Sequence, residues 1–594
     1  MNCITEASPT TSQVVLPKHI SGPLGDWLGF EACRQIEGAM RAPSMVMTPK
    51  ALSAVKCSDL SFSRILVRQM ERERWQISTP EIAVDADGNG HLIYRIDARG
   101  KIFTLVVRAI WDGAEKVGRR MDSTADLIAS LMIGAPERSR IDSEIAAMSV
   151  PFWAGRTDDG SFGFTGANRS QRLFEYVVGQ LSEGRQPDPQ ALANAGGYII
   201  RNAGFYGNGR AGAANWVAIA PDHPFAMPYA IDLFLMYMWR QIGLDYADAV
   251  ARARNPDAAM LSRNVRRYIG VGNSSGLGMT VALVRWPQWI GTWCLLREVA
   301  IAYCKLQPTS EVRSKVGLLE TKLDRVIAYY KEVSGPEHIL PSHQQIVEGL
   351  QRLKTKISNA EITDWADLCS WTEATLDIDT LEQLHALLID IHPEVTAFLE
   401  GLLTAAMLRK RQVQPTMSLG SLRTILARDY RWAIETDRGT PESHWHFWYH
   451  SEEAGEQRRG ERHIDPGSEF ETFVDVIGPI QALAKVLQTT HLDDAMPVGR
   501  FLLSHPEFAY IVSRMSLAAE EPYGEIQGNL VHKDFLPVLV IRFFLSILGF
   551  ESGSPRSVAW VRGVLLQGAP LPDEIKSGKV GEWMMPTIRE IWKQ

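Results

Sequence analysis

The two most apolar runs of the chain, residues 225–244 and 535–550, each carry charge where a membrane span tolerates it poorly: Asp232 and Arg240 in the first, Arg542 in the second. The second run also falls short of the roughly 20 apolar residues that a bilayer crossing needs. Both therefore read as buried helices. A chain of 594 residues is long enough to build several cores around such helices, about two to four.

Apolar residues at 45% and charged residues at 22% exclude a largely disordered or fibrous chain. The net charge of −7 offers no overall attraction to a polyanion, so nucleic acid is not an expected partner. The six cysteines form no CxxC pair, which argues against a zinc knuckle or a disulfide framework and fits a reducing compartment. No basic stretch followed by an apolar one opens the sequence. The expectation is a cytoplasmic protein with no membrane partner.

The fold class expected is α+β, predominantly α-helical and multi-domain. Residues 1–18 read as a flexible tail and 19–170 as an N-terminal α+β domain, with helices around Trp27 to Met40 and Phe62 to Arg72. Within it, residues 75–110 alternate apolar and polar around Asp87-Gly88-Asn89-Gly90 and Ala98-Arg99-Gly100-Lys101, an antiparallel meander with Leu92, Tyr94 and Ile96 on one face. Flanking segments including Thr124 to Met132 are expected as its helical cover. Residues 171–309 form a central helical region with glycine loops. Residues 310–415 form a helical hairpin: Val312, Val316, Leu319, Leu323, Val326 and Tyr330 make one stripe, and Ile346, Leu350, Leu353 and Ile357 a second, opened by Ser342 and Gln345 as a capping box. In residues 416–594, Arg431 to Thr436 and His444 to Ser451 are expected as a short hairpin, followed by helices.

Three of the 14 histidines fall within His444-Trp445-His446-Phe447-Trp448-Tyr449-His450. On a helix His444 and His446 would lie about 200° apart, whereas on a strand His444, His446 and His450 share a face with Glu452 in the same parity. Such a set suits a divalent metal ion, the one cofactor suggested. Its His-x-His-then-Glu order resembles the first metal motif of the cupins, whose second motif and many short strands are missing here. The competing reading is a strand with solvated histidines. Arg458, just downstream, could clamp a carboxylate or phosphate.

Two glycine-rich segments hold further candidates. In Gly270-Val271-Gly272-Asn273-Ser274-Ser275-Gly276-Leu277-Gly278, the glycines allow backbone amides to approach an anion, and the asparagine and serines add donors and a hydroxyl nucleophile. A helix starting near Thr280 would add its amides. The segment lacks the third glycine of a dinucleotide fingerprint and any GxxxxGK[ST]. Upstream, Tyr206, Asn208 and Arg210 supply a hydroxyl, an amide and a fixed cation. For both segments the alternative is a tight turn between packed helices. Trp286, Trp289 and Trp293 at helical spacing read as core, Cys294 and Cys304 as buried thiols, and Arg263, Arg266 and Arg267 as a solvated helix face.

Together these residues describe an enzyme acting on a small polar, anionic metabolite by hydrolysis or elimination. Asn208, Arg210, Gly272, Asn273, Ser275 and Arg458 would bind the substrate, and His446, Glu452, Ser274 and Tyr206 would supply the chemistry. One alternative is a metal enzyme using His444, His446 and His450; another is a non-catalytic helical interaction protein. The enzyme reading requires distant segments to converge on one hollow.

Overall fold

The computed structural model describes residues 14–111, 125–148, 160–207, 220, 222–275, 287–332, 341–407, 414–440, 448–451, 456–459, 472–473, 476–530, 536–551, 555–557 and 560–592. Gln76–Val84 (β1), Gly90–Ala98 (β2) and Lys101–Ala109 (β3) form the expected antiparallel meander. Asp85 pins the first turn, its Oδ1 accepting from the amides of Asp87 at 3.0 Å and Asn89 at 2.8 Å. The second turn holds both Arg99 and Gly100 in the left-handed region, as a two-residue hairpin loop requires. Leu92, Tyr94 and Ile96 are fully buried.

The sheet extends well past the meander. Leu127–Ile133 (β4), expected as helical cover, is a fourth strand antiparallel to β3. Six of its seven residues are buried, so neither face shows the polar alternation that would betray a strand. Ser161–Arg169 (β5), Tyr198–Gly207 (β6) and Gly270–Ser275 (β7) continue the sheet. Trp448–Ser451 (β8), Glu456–Arg459 (β9) and Thr472–Phe473 (β10) make a small second sheet, ordered β10-β8-β9. Pro555–Ser557 (β11) and Trp560–Leu565 (β12) return to the first, whose order among the described residues is β1-β2-β3-β4-β5-β6-β7-β12-β11. Among the described residues every pairing is antiparallel except β6 with β7.

The rest of the fold is mostly helical. Lys18–Leu28, Phe30–Ala39 and Phe62–Arg72 are helices, and the two apolar runs give Ala230–Arg254 and Pro537–Leu548. Among the described residues no helix is long and apolar enough to cross a membrane. Thr309–Glu332 and His343–Asn359 form the hairpin, and both halves of the Ser342–Gln345 capping box are made. Trp289 and Trp293 are buried in the helix Pro287–Lys305.

Two further expectations fail. Arg431–Glu435 is a helix rather than a strand: Tyr430 and Ala433 share its buried side, and Arg431 pairs with Glu435 one turn on at 2.6 Å. β8 pairs instead with β9 and β10, not with residues 431–436. The stretch before Lys18 is not wholly a tail either, because Val14 and Leu16 are buried in the main core. That core draws residues from Val14 to Ile591, so the C-terminal segment is woven into the N-terminal sheet. Among the described residues three further apolar clusters centre on the helical hairpin, on residues 419–515, and on the other face of the meander, where Ile93, Val106 and Ile128 meet Ile141 and Met148.

Close packing fixes β7 between its neighbours. A Cβ on Gly272 would lie 2.4 Å from the Tyr198 ring, and one on Gly270 2.6 Å from the Leu565 carbonyl oxygen. Gly272→Ala is therefore expected to lower unfolding stability by about 1–3 kcal/mol, read from the urea midpoint. An unchanged midpoint would mean that the ring moves aside freely.

Candidate functional site

Neither glycine-rich segment is a loop up to its last described residue. The amides of 270–275 lie in the ladder, with Gly272 opposite Val564, Asn273 opposite Gly563, Ser274 opposite Arg562 and Ser275 opposite Val561. A cradle of free amides is thus replaced by a strand, and Gly270 and Gly272 serve close packing instead of anion contact. The sheet nevertheless brings the two segments together. β6 and β7 run parallel, with Tyr198 beside Gly270 and Arg201 beside Gly272, so Asn202 and Asn273, both buried, are neighbours in register. The connection between the strands runs through the helix Ala230–Arg254 and the short helix Arg263–Tyr268.

This parallel pair gives the sheet one distinctive edge. The chain leaves β6 and β7 in the same direction there: the register carries Ser275 level with Gly204, β6 runs on to Gly207 opposite Gly163 of β5, and Ser275 pairs with Val561 of β12. Of the sequence candidates, Tyr206 lies in β6 opposite Phe164, and Ser274 and Ser275 lie in β7. His450 in β8 pairs with Thr472, and Arg458 in β9 with Tyr449, both in the small sheet. Asn208, Arg210, His444, His446 and Glu452 lie outside the described residues, as does Thr280. Among the described residues no three His, Cys, Asp or Glu side chains are grouped as a metal site.

One buried arginine seats β7. Arg240, in the middle of the crossover helix, donates from Nε to the Ile269 carbonyl at 2.8 Å and from Nη2 to those of Arg266 and Arg267 at 2.9 and 3.1 Å. It thereby satisfies the last carbonyls of the short helix that leads into the strand. Burial lowers its guanidinium to about 10. The three arginines of that short helix, expected on a solvated face, are paired: Arg266 with Asp245 at 2.5 Å and Asp248 at 2.7 Å, Arg267 with Glu574 at 2.9 Å, and Arg263 with Asp573 at 2.7 Å. Asp232, in the first turn of the crossover helix, has its carboxyl pushed up to about 7 by desolvation.

The densest ionic cluster was not foreseen. Every residue of the helix Ile378–Asp390 from Asp379 onward is buried, and its acids meet cations from far along the chain. Asp379 accepts from Lys56 at 2.8 Å and from Arg542. Glu382 accepts from Arg41 and Arg297, both at 2.6 Å, and Arg41 also clamps Glu298 at 2.6 and 2.9 Å. Burial opposes ionisation of Glu382, but Arg41 and Arg297 outweigh it and hold the carboxyl well below its ordinary value. His385, 3.7 Å from Glu382, is lowered to about 4 by burial and then by Arg41.

Lys56 belongs to a buried non-helical stretch, residues 55–61, of a kind usually found at the surface. Cys57 within it donates to Glu551 at 2.7 Å, and Tyr330 donates to the other oxygen of that carboxylate at 3.0 Å. Burial, reinforced by Glu551, holds the thiol well above its ordinary value, so it is a poor nucleophile. These groups pair with one another, which makes the cluster a structural tie. Its signal in the sequence is the interruption of apolar helices by single charges, as at Arg542 and Glu382.

Comparison with protein-family models, with curated proteins and with solved structures finds no match.

Removing one partner of a buried pair strands the other. Glu382→Gln should cost about 3–5 kcal/mol of stability at neutral pH, measured by chemical denaturation; a loss under about 1 kcal/mol would contradict the pairing. Asp232 gives a pH test. A carboxyl raised from 3.8 to about 7 penalises the folded state above its folded value and not below its unfolded one. Asp232→Asn should therefore stabilise the protein at about pH 8, with the gain shrinking through pH 7 and gone near pH 4. A pH-independent difference would contradict the raised carboxyl.

Proposed function

We propose that this chain is an enzyme for a small polar, anionic molecule, held at the carboxyl edge shared by β6 and β7 and processed by hydrolysis or elimination. The parallel pairing of those two strands carries the reading. In open α/β sheets ligands characteristically bind in the crevice outside the carboxyl ends of the parallel strands, and β6 and β7 reproduce that arrangement as one pair within an otherwise antiparallel sheet. Here the two departing segments are the ones whose sequences supply polar groups suited to an anion. Asn208 and Arg210 follow the last residue of β6 in the chain, and Gly276 and Gly278 follow the last of β7.

Within this reading Asn273 orients the ligand, Arg210 neutralises its charge, and the hydroxyls of Ser274 and Tyr206 are the groups available for attack or proton transfer. Neither hydrolysis nor elimination needs a redox cofactor. The histidine segment joins only if His446 and Glu452 approach the same edge. An inhibitor or substrate analogue cross-linked to the bound site would place them there or elsewhere.

The direct experiment is a thermal-shift screen of the purified protein with carboxylates and phosphomonoesters at about 10 mM, since a ligand specific for the folded state raises Tm once its concentration exceeds Kd. At least one anion class should raise Tm. Asn273→Ala should lose that response, and Ser274→Ala or Tyr206→Phe should lower turnover of the stabilising compound by about a hundredfold or more. No stabilising anion, or a full response in folded Asn273→Ala, would remove the proposal.

A further inference from the structure

A second place on the molecule has the chemistry of a ligand site, independent of the carboxyl edge. β1 is the terminal strand of the large sheet, and its edge is poorly suited to adding another strand: Pro80 has no amide hydrogen, and the register slips between Ser78 and Glu81. Beside it lies a groove of about 590 Å³, within the range of small-molecule sites. Ile77 and Ile82 of β1, with Leu261, Leu571 and Pro572, give it apolar walls.

Its polar groups are of two kinds. Gln241 and Asp245, one turn apart on the crossover helix, are acceptors, and Asp245 already shares its charge with Arg266, which also lines the groove, at 2.5 Å. The Gln241 amide donates from Nε2 to both Asp245 oxygens, at 2.9 and 3.0 Å, which fixes its orientation. Gln241 is 7% exposed, and among the described residues its Oε1 has no hydrogen-bond partner. A buried carbonyl oxygen of this kind costs stability until a donor reaches it. The other kind is cationic: the exposed Lys576 has no ion-pair partner among the described residues, whereas Arg263 in the same lining is paired at 2.7 Å with Asp573, which lines the groove too; the hydroxyls of Ser78 and Thr79 complete the set.

We propose that this groove binds a zwitterion with an apolar side chain, an α-amino acid or a short apolar peptide, whose ammonium meets Gln241 Oε1 and Asp245 and whose carboxylate meets Lys576. Each part of the ligand answers one part of the lining: a donor for the orphan acceptor, an anion for the free cation, and a hydrocarbon body for the isoleucine and leucine walls. Because the groove borders the short helix that leads into Gly270, it lies on the amino-terminal side of β7, away from the edge proposed for the anionic substrate.

The test is calorimetric titration of the full chain with L-leucine and with tri-leucine. Binding of either is expected, and the tighter one identifies the occupant as free amino acid or peptide. N-acetyl-leucine amide, which lacks both charges, should bind about tenfold or more weakly than the better ligand. Lys576→Glu, a surface change that leaves the core alone, should weaken binding by about tenfold or more, and Gln241→Leu likewise if it folds. Asn273→Ala should bind as the wild type does, which separates this site from the carboxyl edge. The proposal is overturned if neither zwitterion binds at about 10 mM, if Lys576→Glu leaves the affinity unchanged, or if Asn273→Ala abolishes it.

Discussion

Two acids of one buried helix, Asp379 and Glu382, hold this molecule in a single arrangement. Their partners come from opposite ends of the chain: Lys56 and Arg41 from the N-terminal helical region, Arg297 from the middle and Arg542 from near the C-terminus. A charge taken out of water costs several kcal/mol unless a partner compensates it, so each of these segments has only one acceptable position. Apolar burial drives the collapse. The ion pairs then specify which of many compact packings is reached, since a shifted helix would strand an arginine or a carboxylate in the core.

That specification reaches the candidate site through the sheet. β12 comes from the C-terminal segment yet pairs with β7, and the helix before these last strands carries Arg542, bound to Asp379. On the other side, Arg240 ties the crossover helix to the carbonyls that precede β7 and, through Nη1 at 3.4 Å, to Pro570 beyond β12. Buried cations thus set both the lateral neighbour of β7 and its starting point. The carboxyl edge of β6 and β7 is the product of ties made elsewhere in the interior.

Local signals in the sequence were readable wherever one residue decides a conformation. The Asp87–Gly90 and Ala98–Lys101 turns, the Ser342–Gln345 capping box and the stripes of the helical hairpin all give the elements expected of them. What was not readable depends on burial from both sides. β4 is apolar throughout and carries no period-two pattern, and the glycine-rich β7 looks like a loop because its glycines answer the Tyr198 ring and the Leu565 carbonyl, neighbours that only the fold supplies. Of the site residues, Asn273, Ser274 and Ser275 share an edge with Tyr206 through a pairing invisible in one dimension. His450 and Arg458 stand in a separate sheet, of which the sequence shows β8 but neither of its neighbours β9 and β10.

If the interior ion pairs tie distant segments into one body, the helix Ile378–Asp390 and the strands β6, β7 and β12 should open only together. Native-state hydrogen exchange across a urea series measures this directly. Amides of all four elements are expected to exchange with one free energy and one denaturant slope, equal to those of global unfolding. Exchange of β12 or β7 through a separate, lower-energy opening, while the helix stays protected, would contradict the idea that its acids hold the sheet.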